Sequence, residues 1–306
     1  MLHHFTDPRH PAGQGALTTQ QLRAMLQGMG TRRFLSPAEW MDRVRAGTLE
    51  PQHLCITLDD GLLCQYDVAL PVFEELGLTA FWFVYSSVFQ GNIERLELYR
   101  YFRTTAFEDI EAFYEAFFDA ARSQAPDAFR QAQARFDPAT YLKDFAFYTV
   151  PDRWFRFLRD EALGVDGYNA VMDGMLHARG FDPAQVRDLL WLDDARLRTL
   201  VQRGHAVGLH STTHPTRLER LTPAQQQGEY EANFNHIRAA TGVAPRSMSH
   251  PCNSYTPQTL ALLHDMGIQT GFRSNMARQP GHGPLELPRE DHANLMHLTQ
   301  PAGAGA

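Results

Sequence analysis

Short apolar segments that alternate with helical segments restrict the fold of this chain more than any other feature. Residues 53–58 form an apolar run, residues 66–76 have a helical pattern that Gly77 ends, and residues 79–85 form a second apolar run. A strand, a helix and a strand within about 35 residues predict a parallel βαβ unit, because a parallel pair needs a crossover connection of this kind. Both apolar runs are therefore predicted to be buried strands.

The same alternation returns after residue 190. Thr222 can cap a helix, Pro223 suits its first turn and Gly242 ends it. The predicted elements of this part are helices at residues 193–202, 222–240 and 256–266 and strands at residues 205–210, 247–250 and 269–273. Alternating strands and helices predict an α/β fold with a parallel sheet that closes, or nearly closes, into a distorted (β/α) barrel.

A region of different composition separates the two parts. Residues 93–190 are rich in aromatic, Ala, Arg and acidic residues, have helical periodicity and contain few strand signals. We therefore predict a helical insertion, which follows the second strand and precedes the second metal-binding motif described below. Its aromatic residues recur at helical spacing, which favours a helical core over a sugar-stacking surface. The barrel is expected in two parts, residues 1–92 and 191–300, followed by a disordered tail at residues 301–306.

The composition limits the classes of function. Of the 306 residues, 43% are hydrophobic and 21% are charged, which suits a folded protein with a sizeable core. The net charge of −7 gives no general attraction to nucleic acid, so no such partner is expected. Three cysteines, no N-terminal signal sequence and no apolar stretch of about 20 residues predict a cytoplasmic protein without disulfides or a membrane span. No pattern indicates an oligomeric state.

Two short motifs place polar side chains where predicted strands end. Asp59 and Asp60 follow the first strand directly, and His210 and His214 lie at the end of the third. Two imidazoles four residues apart can reach one cation, and carboxylates are costly to bury without a cation or hydrogen-bond donors. A pair of surface histidines and an Asp-Asp-Gly turn are the simpler alternatives. Active sites of α/β folds lie at such strand ends, which favours a metal site.

The two motifs resemble those of a known family, the polysaccharide deacetylases with NodB homology, also called carbohydrate esterase family 4. Residues 57–61, Thr-Leu-Asp-Asp-Gly, are similar to the family's T-F-D-D-G motif, and residues 210–215, His-Ser-Thr-Thr-His-Pro, match its H-[ST]-x-x-H-P motif. The resemblance covers approximately residues 54–85 and 193–294. It implies a distorted (β/α) barrel of seven strands, interrupted here by the helical insertion.

The resemblance also assigns roles to the residues of these motifs. It implies that Asp60, His210 and His214 bind one divalent metal and that Asp59 is the general base. Zinc is the expected metal, and Co²⁺, Ni²⁺ or Fe²⁺ would also suit histidine and carboxylate ligands. Water activated by the metal would attack the amide carbonyl while Asp59 takes its proton.

Residues 249–253, Ser-His-Pro-Cys-Asn, resemble one version of the family's third motif, Y-P-[YF]-G. The resemblance implies that His250, Pro251 and Cys252 bind the substrate. A hydrogen-bonded structural histidine is the alternative for His250, and a small buried apolar residue is the alternative for Cys252. In the other version of this motif an arginine orients the catalytic Asp, and it has no counterpart at Ser249.

Residues 287–292, Leu-Pro-Arg-Glu-Asp-His, resemble a stretch that closes the barrel in the same branch of the family. The resemblance implies that His292 donates a proton to the leaving amine, as the family's C-terminal histidine does. Arg289 and Asp291 are then expected to orient His292 or to bind the substrate. The alternative is a loop with an exposed histidine.

The expected function is metal-dependent removal of an acetyl group from an N-acetylated sugar. Because no export signal is seen, the expected substrate is an intracellular precursor of a surface glycan, such as a small sugar or a nucleotide-sugar. Hydrolysis of a non-sugar amide or another C–N bond on the same fold is one alternative, and a non-catalytic glycan-binding module is another. Asp59, Asp60, His210 and His214 are all present, which favours an enzyme.

Overall fold

The computed structural model describes residues 1–143, 148–277 and 279–299. The chain forms two compact units, one of Met1–Glu94 with Asp188–Ala306 and the other of Arg95–Arg187. The predicted tail at residues 301–306 lies outside the described residues. No helix in the described part of the chain has the length together with the apolar character that a membrane span requires.

The first unit contains a parallel sheet. Its strands are β1 (Ile56–Leu58), β2 (Ala80–Val84), β3 (Ala206–Leu209), β4 (Ser247–Ser249) and β5 (Thr270–Phe272). They lie in the sheet in the order of the sequence, and each pairs in parallel with the next. Every strand falls within a segment predicted as a strand, and the predicted βαβ unit at residues 53–85 is confirmed.

The sheet is an open half-barrel, and the prediction of seven strands is wrong for the described residues, which form five. Leu2 and Leu287 each form a single parallel bridge, to β1 at one edge and to β5 at the other. Neither segment extends into a strand. Phe5 bridges to Leu17 instead of continuing along β1, and Pro288 has no N–H group to continue the pairing beside β5.

Helices connect the strands and make up the second unit. They are α1 (Thr19–Met29), α2 (Pro37–Ala46), α3 (Leu70–Leu76), α4 (Arg95–Thr105), α5 (Ile110–Gln124), α6 (Pro126–Arg135), α7 (Val150–Phe157), α8 (Gly164–Ala178), α9 (Arg187–Leu190), α10 (Asp194–Gln202), α11 (Pro223–Thr241), α12 (Pro257–Asp265) and α13 (His292–Thr299). Thr222 caps α11 as predicted, because its hydroxyl accepts a hydrogen bond from the Gln225 N–H. Gly242 ends the helix with a φ of 76°.

Strand β2 is buried on both faces, which explains its unbroken apolar sequence. Trp82 and Val84 pack into the larger hydrophobic cluster, whereas Phe81 and Phe83 pack with Phe272 into a second cluster. Burial on both faces is typical of parallel sheets. The strand ends are therefore the positions where this sheet can present polar side chains.

The second unit is helical and comprises α4 to α8, which follow β2 and precede β3 in the sequence. Aromatic side chains form its interior. Tyr99, Phe102, Tyr114, Phe117 and Phe155 are each at most 3% exposed, and the Phe117 and Phe155 ring centroids are 4.9 Å apart. For these residues the prediction of a helical aromatic core is confirmed.

Candidate active site

The two candidate motifs meet at one edge of the sheet. Asp59 and Asp60 follow β1, and His210 follows β3. Because β1, β2 and β3 are parallel neighbours, their C-terminal ends lie at the same edge. Residues separated by 150 positions in the sequence therefore come together.

Left-handed backbone conformations are concentrated in the loops at this edge. Six non-glycine residues in the described chain have a positive φ, and five of them are Asp60, Ser211, His214, Cys252 and Asn253. This conformation is uncommon for residues with a Cβ atom. Such strain persists where the surrounding structure enforces it, and it clusters at functional sites. The backbone thus indicates a functional site independently of the side chains.

Asp60, His210 and His214 form a compact cluster of potential metal ligands. Asp60 Oδ1 lies 3.5 Å from His210 Nε2 and 3.7 Å from His214 Nε2. One donor atom from each of the three residues lies within 4.8 Å of the others, and no second cluster of this kind is found among the described residues. The Asp60 and His214 side chains are 13% and 12% exposed, against 2% for His210, so the cluster has one open side.

This set of atoms fits a divalent cation. Asp60 Oδ1 is buried and has no hydrogen-bond partner among the described residues, which is costly for a carboxylate oxygen. His210 donates from Nδ1 to the Ser249 carbonyl oxygen at 2.9 Å, which leaves the lone pair of Nε2 facing Asp60. Three protein ligands leave positions for water and substrate, as catalytic zinc sites require.

The electrostatics of the cluster also suit a cation. Burial lowers the pKa of His214 to about 4, so its ring is neutral at pH 7 and can act as a ligand. Burial also acts to lower the pKa of His210, but Asp59 and Asp60 outweigh it and hold this pKa above its usual value. A bound cation would replace the proton that the carboxylates otherwise favour on His210.

Two polar side chains hold the loop that carries the histidines. The Asn233 side chain accepts from the His210 N–H at 3.0 Å and donates to the Val84 carbonyl oxygen at 3.0 Å. Glu229 Oε2 accepts from the N–H groups of Thr212 and Thr213 at 2.9 and 2.8 Å. Both residues come from α11, and no motif in the sequence indicates that either belongs to the site.

Asp59 is held by a buried arginine. Arg289 donates from Nη1 and Nη2 to the two carboxylate oxygens, both at 2.7 Å, and the Ser249 hydroxyl donates to Asp59 Oδ2 at 3.1 Å. Burial alone would raise the pKa of Asp59, but the charge and hydrogen bonds of Arg289 together with the nearby histidines outweigh it and hold the pKa well below its usual range. Asp59 is therefore ionised, as a proton acceptor must be.

The position of Arg289 corrects the prediction for this residue. Arg289 is 5% exposed and its guanidinium also bonds the Arg273 carbonyl oxygen, the Thr57 hydroxyl and the Ser249 hydroxyl. It therefore has no surface for substrate and does not orient His292. Its contact with Asp59 supplies the guanidinium that the third motif lacks at Ser249.

The structure does not bring His292 and Asp291 to the cluster of potential metal ligands. The His292 ring bonds the Gly15 carbonyl oxygen through Nε2 at 2.9 Å, and its Nδ1 lies 3.3 Å from Asp291 Oδ1. Because His292 is buried at the start of α13 and its backbone N–H bonds the Met1 carbonyl oxygen, its ring cannot turn towards the cluster without breaking these contacts. The predicted role of His292 as proton donor has no support from this geometry.

The third motif lies next to the cluster, but most of it is buried. His250 is 1% exposed, donates from Nε2 to the Leu285 carbonyl oxygen at 2.8 Å and stacks on Tyr255. It is therefore a hydrogen-bonded structural histidine, the alternative given above, and is not open to substrate. Burial lowers its pKa to about 4. Pro251 is also buried, whereas Cys252 is exposed. Of these three residues, only Cys252 remains placed to contact a substrate.

The fold and the site together define a class, an α/β half-barrel protein with a candidate metal centre at the C-terminal edge of its parallel sheet. The polysaccharide deacetylase family model matches residues 180–271, less than a third of the chain. This segment contains His210 and His214 and does not include Asp59 and Asp60. The match confirms the resemblance to this family that the two motifs predicted, and it indicates an enzyme class, a hydrolase acting on N-acetyl amide bonds.

Solved deacetylases share this fold at low sequence identity. Streptococcus pyogenes deacetylase PplD, solved in complex with acetate, is 14% identical, with 98% of this chain and 96% of that chain covered and a TM-score of 0.56. IcaB from Ammonifex degensii is 14% identical, with 94% and 87% covered and a TM-score of 0.53. The BpsB deacetylase domain from Bordetella bronchiseptica is 13% identical, with 94% and 92% covered and a TM-score of 0.50. No curated protein sequence matches significantly.

Proposed function

We propose that this chain is a metal-dependent N-deacetylase that hydrolyses the acetamide of an N-acetylated sugar. The observation that carries the proposal is the cluster of Asp60, His210 and His214, which lies beside an ionised Asp59 held by Arg289. The family match supports an acetylated sugar as the substrate class. Three free cysteines support a reducing compartment, and we propose an intracellular sugar precursor, including a nucleotide-linked one, as the substrate.

The residues present divide the chemistry between them. A divalent metal held by Asp60, His210 and His214 would lower the pKa of water and polarise the amide carbonyl. Asp59 accepts the proton of the attacking water, and Arg289 keeps this carboxylate ionised and fixed in orientation. Ser249 restricts one oxygen of Asp59 further, since its hydroxyl donates to Oδ2. Asn233 and Glu229 keep the two histidines in place.

Acetate release tests this proposal directly. The purified protein is loaded with Zn²⁺ and incubated with N-acetylated monosaccharides, their UDP-linked forms and short N-acetylated oligosaccharides. We expect acetate from at least one of these, and loss of that activity in Asp59→Asn, which leaves the three ligands in place. No acetate from any of them with zinc bound, or full activity in Asp59→Asn, would contradict the proposal.

The same measurement separates the alternatives. If the protein releases a carboxylic acid only from non-sugar amides, its substrate is an amide other than that of an N-acetylated sugar. The complete set of Asp59 and the three ligands favours catalysis over a non-catalytic glycan-binding role. We further propose that residues 93–190 are an insertion into the deacetylase barrel, an interpretation supported by the separate compact unit at Arg95–Arg187.

A further inference from the structure

A buried glutamine that belongs to no motif closes the loop that carries Asp59 and Asp60. Gln65 is fully enclosed and begins a single π-helical turn, Gln65–Ala69, an element that is rare and often found at functional sites. We propose that Gln65 is a positioning residue, which holds the proposed base and the neighbouring metal ligand in a fixed orientation to each other. This role rests on the proposed deacetylase function.

The side-chain amide of Gln65 uses both its nitrogen and its oxygen. Nε2 donates to the Asp59 carbonyl oxygen at 2.6 Å and to the His3 carbonyl oxygen at 2.9 Å. Oε1 accepts from the Leu62 N–H at 3.3 Å, and the Gln65 backbone N–H donates to the Leu62 carbonyl oxygen at 3.1 Å. One amide therefore joins Asp59, where the loop begins, to Leu62, where it ends.

The two residues between these anchors have a left-handed backbone. The φ angles are 80° at Asp60 and 64° at Gly61, and a residue with a Cβ atom keeps such an angle only where its surroundings enforce it. A Cβ atom at Gly61 would lie 2.9 Å from Val84 Cγ1, so the loop packs directly on the end of β2. Without the Gln65 amide, we expect Asp60 to relax towards an extended conformation, which turns its carboxylate away from His210 and His214.

The peptide group between Asp59 and Asp60 is the part of the site that Gln65 alone controls through a side chain. Arg289 and Ser249 hold the Asp59 carboxylate, whereas Gln65 holds the Asp59 carbonyl oxygen. If this carbonyl is released, the base stays in place while the next residue, Asp60, can move. Loss of Gln65 is therefore expected to weaken metal binding first and to reduce turnover as a consequence.

Gln65→Met and Gln65→Glu test this role. The first variant keeps most of the volume and removes all side-chain hydrogen bonds, and the second keeps the size and an acceptor for the Leu62 N–H but donates no hydrogen bond when ionised. Zn²⁺ affinity measured by chelator competition should weaken about 10–100-fold in both, and the visible spectrum of the Co²⁺-loaded protein should change. At saturating Zn²⁺, kcat for acetate release should fall while KM stays close to the parent value.

Gln226→Met is the matched control, because Gln226 is also a buried glutamine whose Nε2 donates to a carbonyl oxygen, that of Leu221 at 3.0 Å, and whose Oε1 accepts a hydrogen bond, from the Thr259 hydroxyl at 2.6 Å. It should lower the urea midpoint in the same way as Gln65→Met but keep the parent Zn²⁺ affinity and Co²⁺ spectrum.

Circular dichroism identifies the folded variants, and Gln65→Glu carries the test if Gln65→Met does not fold. Parent Zn²⁺ affinity in a folded Gln65 variant would overturn the positioning role. Equal weakening in Gln226→Met would also overturn it, since that pattern indicates a general loss of stability. A parent protein that binds Zn²⁺ and releases no acetate would overturn the deacetylase function, whereas the Zn²⁺ affinities would still decide whether Gln65 positions Asp60.

Discussion

The Arg289–Asp59 ion pair allows a quantitative test of the site. Nη1 and Nη2 of Arg289 each approach a carboxylate oxygen at 2.7 Å, and the two side chains are 3% and 4% exposed. Arg289→Met keeps much of the side-chain volume but removes the charge, which leaves the Asp59 carboxylate buried without a counter-charge. We expect the free energy of unfolding to fall by about 3–5 kcal/mol, the usual effect of breaking a buried pair from one side.

An exposed pair of the same chemistry shows how much of this effect comes from burial. Arg45 Nη2 lies 2.8 Å from Asp42 Oδ1, a similar distance, but the side chains are 69% and 68% exposed. Arg45→Met should therefore lower the free energy of unfolding by only about 0–1 kcal/mol. The difference between the two variants measures the contribution of burial.

A double-mutant cycle separates the charge from the lost packing. Asp59→Asn combined with Arg289→Met removes both charges, so the double variant should be more stable than Arg289→Met alone. Urea unfolding followed by circular dichroism, with chelator present so that metal binding adds nothing, gives the four free energies. A loss below about 1 kcal/mol in Arg289→Met, or strictly additive effects in the double variant, would refute the assignment of a buried, coupled pair.

Three further perturbations address the ligand loop, the metal and a buried histidine. Glu229→Ala frees two N–H groups of the loop that carries His214, so zinc affinity measured by chelator competition should weaken about 10–100-fold, and an unchanged affinity would argue against a positioning role. Asp60→Asn should abolish zinc binding and acetate release together, whereas activity with less than about 0.1 equivalent of metal by elemental analysis would exclude metal dependence. Burial lowers the pKa of His205 from 6.5 to about 4, so its neutral form stabilises the folded protein fully above pH 6.5 and this stability is lost as the pH falls towards 4. The loss is about 3 kcal/mol by proton linkage, and urea titrations at several pH values should show a flatter profile for His205→Gln than for the parent.

The regular part of the fold could be predicted because its signals are local. The apolar run of β2 reflects burial on both faces, and Thr222, Pro223 and Gly242 define the ends of α11 through contacts within one helical turn. The half-barrel edges could not be predicted in this way. Leu2 and Leu287 pair with the outer strands through single bridges, which leave no periodic signal in the sequence.

The candidate ligands were predictable for a different reason. His210 and His214 lie four residues apart, and Asp60 is the second residue after an apolar strand, so each motif is visible in a short window of sequence. Gln65 and Glu229 have no such signal. Gln65 reaches the Asp59 carbonyl oxygen only because the loop between them turns back through two left-handed residues, and Glu229 reaches the histidine loop only because α11 packs against it.

Arg289 shows that a guanidinium can contact the same carboxylate from a different position in the sequence. One version of the family's third motif has an arginine at the position where this chain has Ser249. Arg289 lies 230 residues from Asp59 in the sequence, but it follows Leu287, which pairs with β5, and β5 is the neighbour of β4, the strand that ends at Ser249. Adjacent strand ends therefore reach the same carboxylate, and the small Ser249 side chain leaves room for the longer one and also bonds it at 2.6 Å. The geometry of the sheet edge determines which chemical groups surround Asp59. More than one segment of the chain ends close enough to supply them.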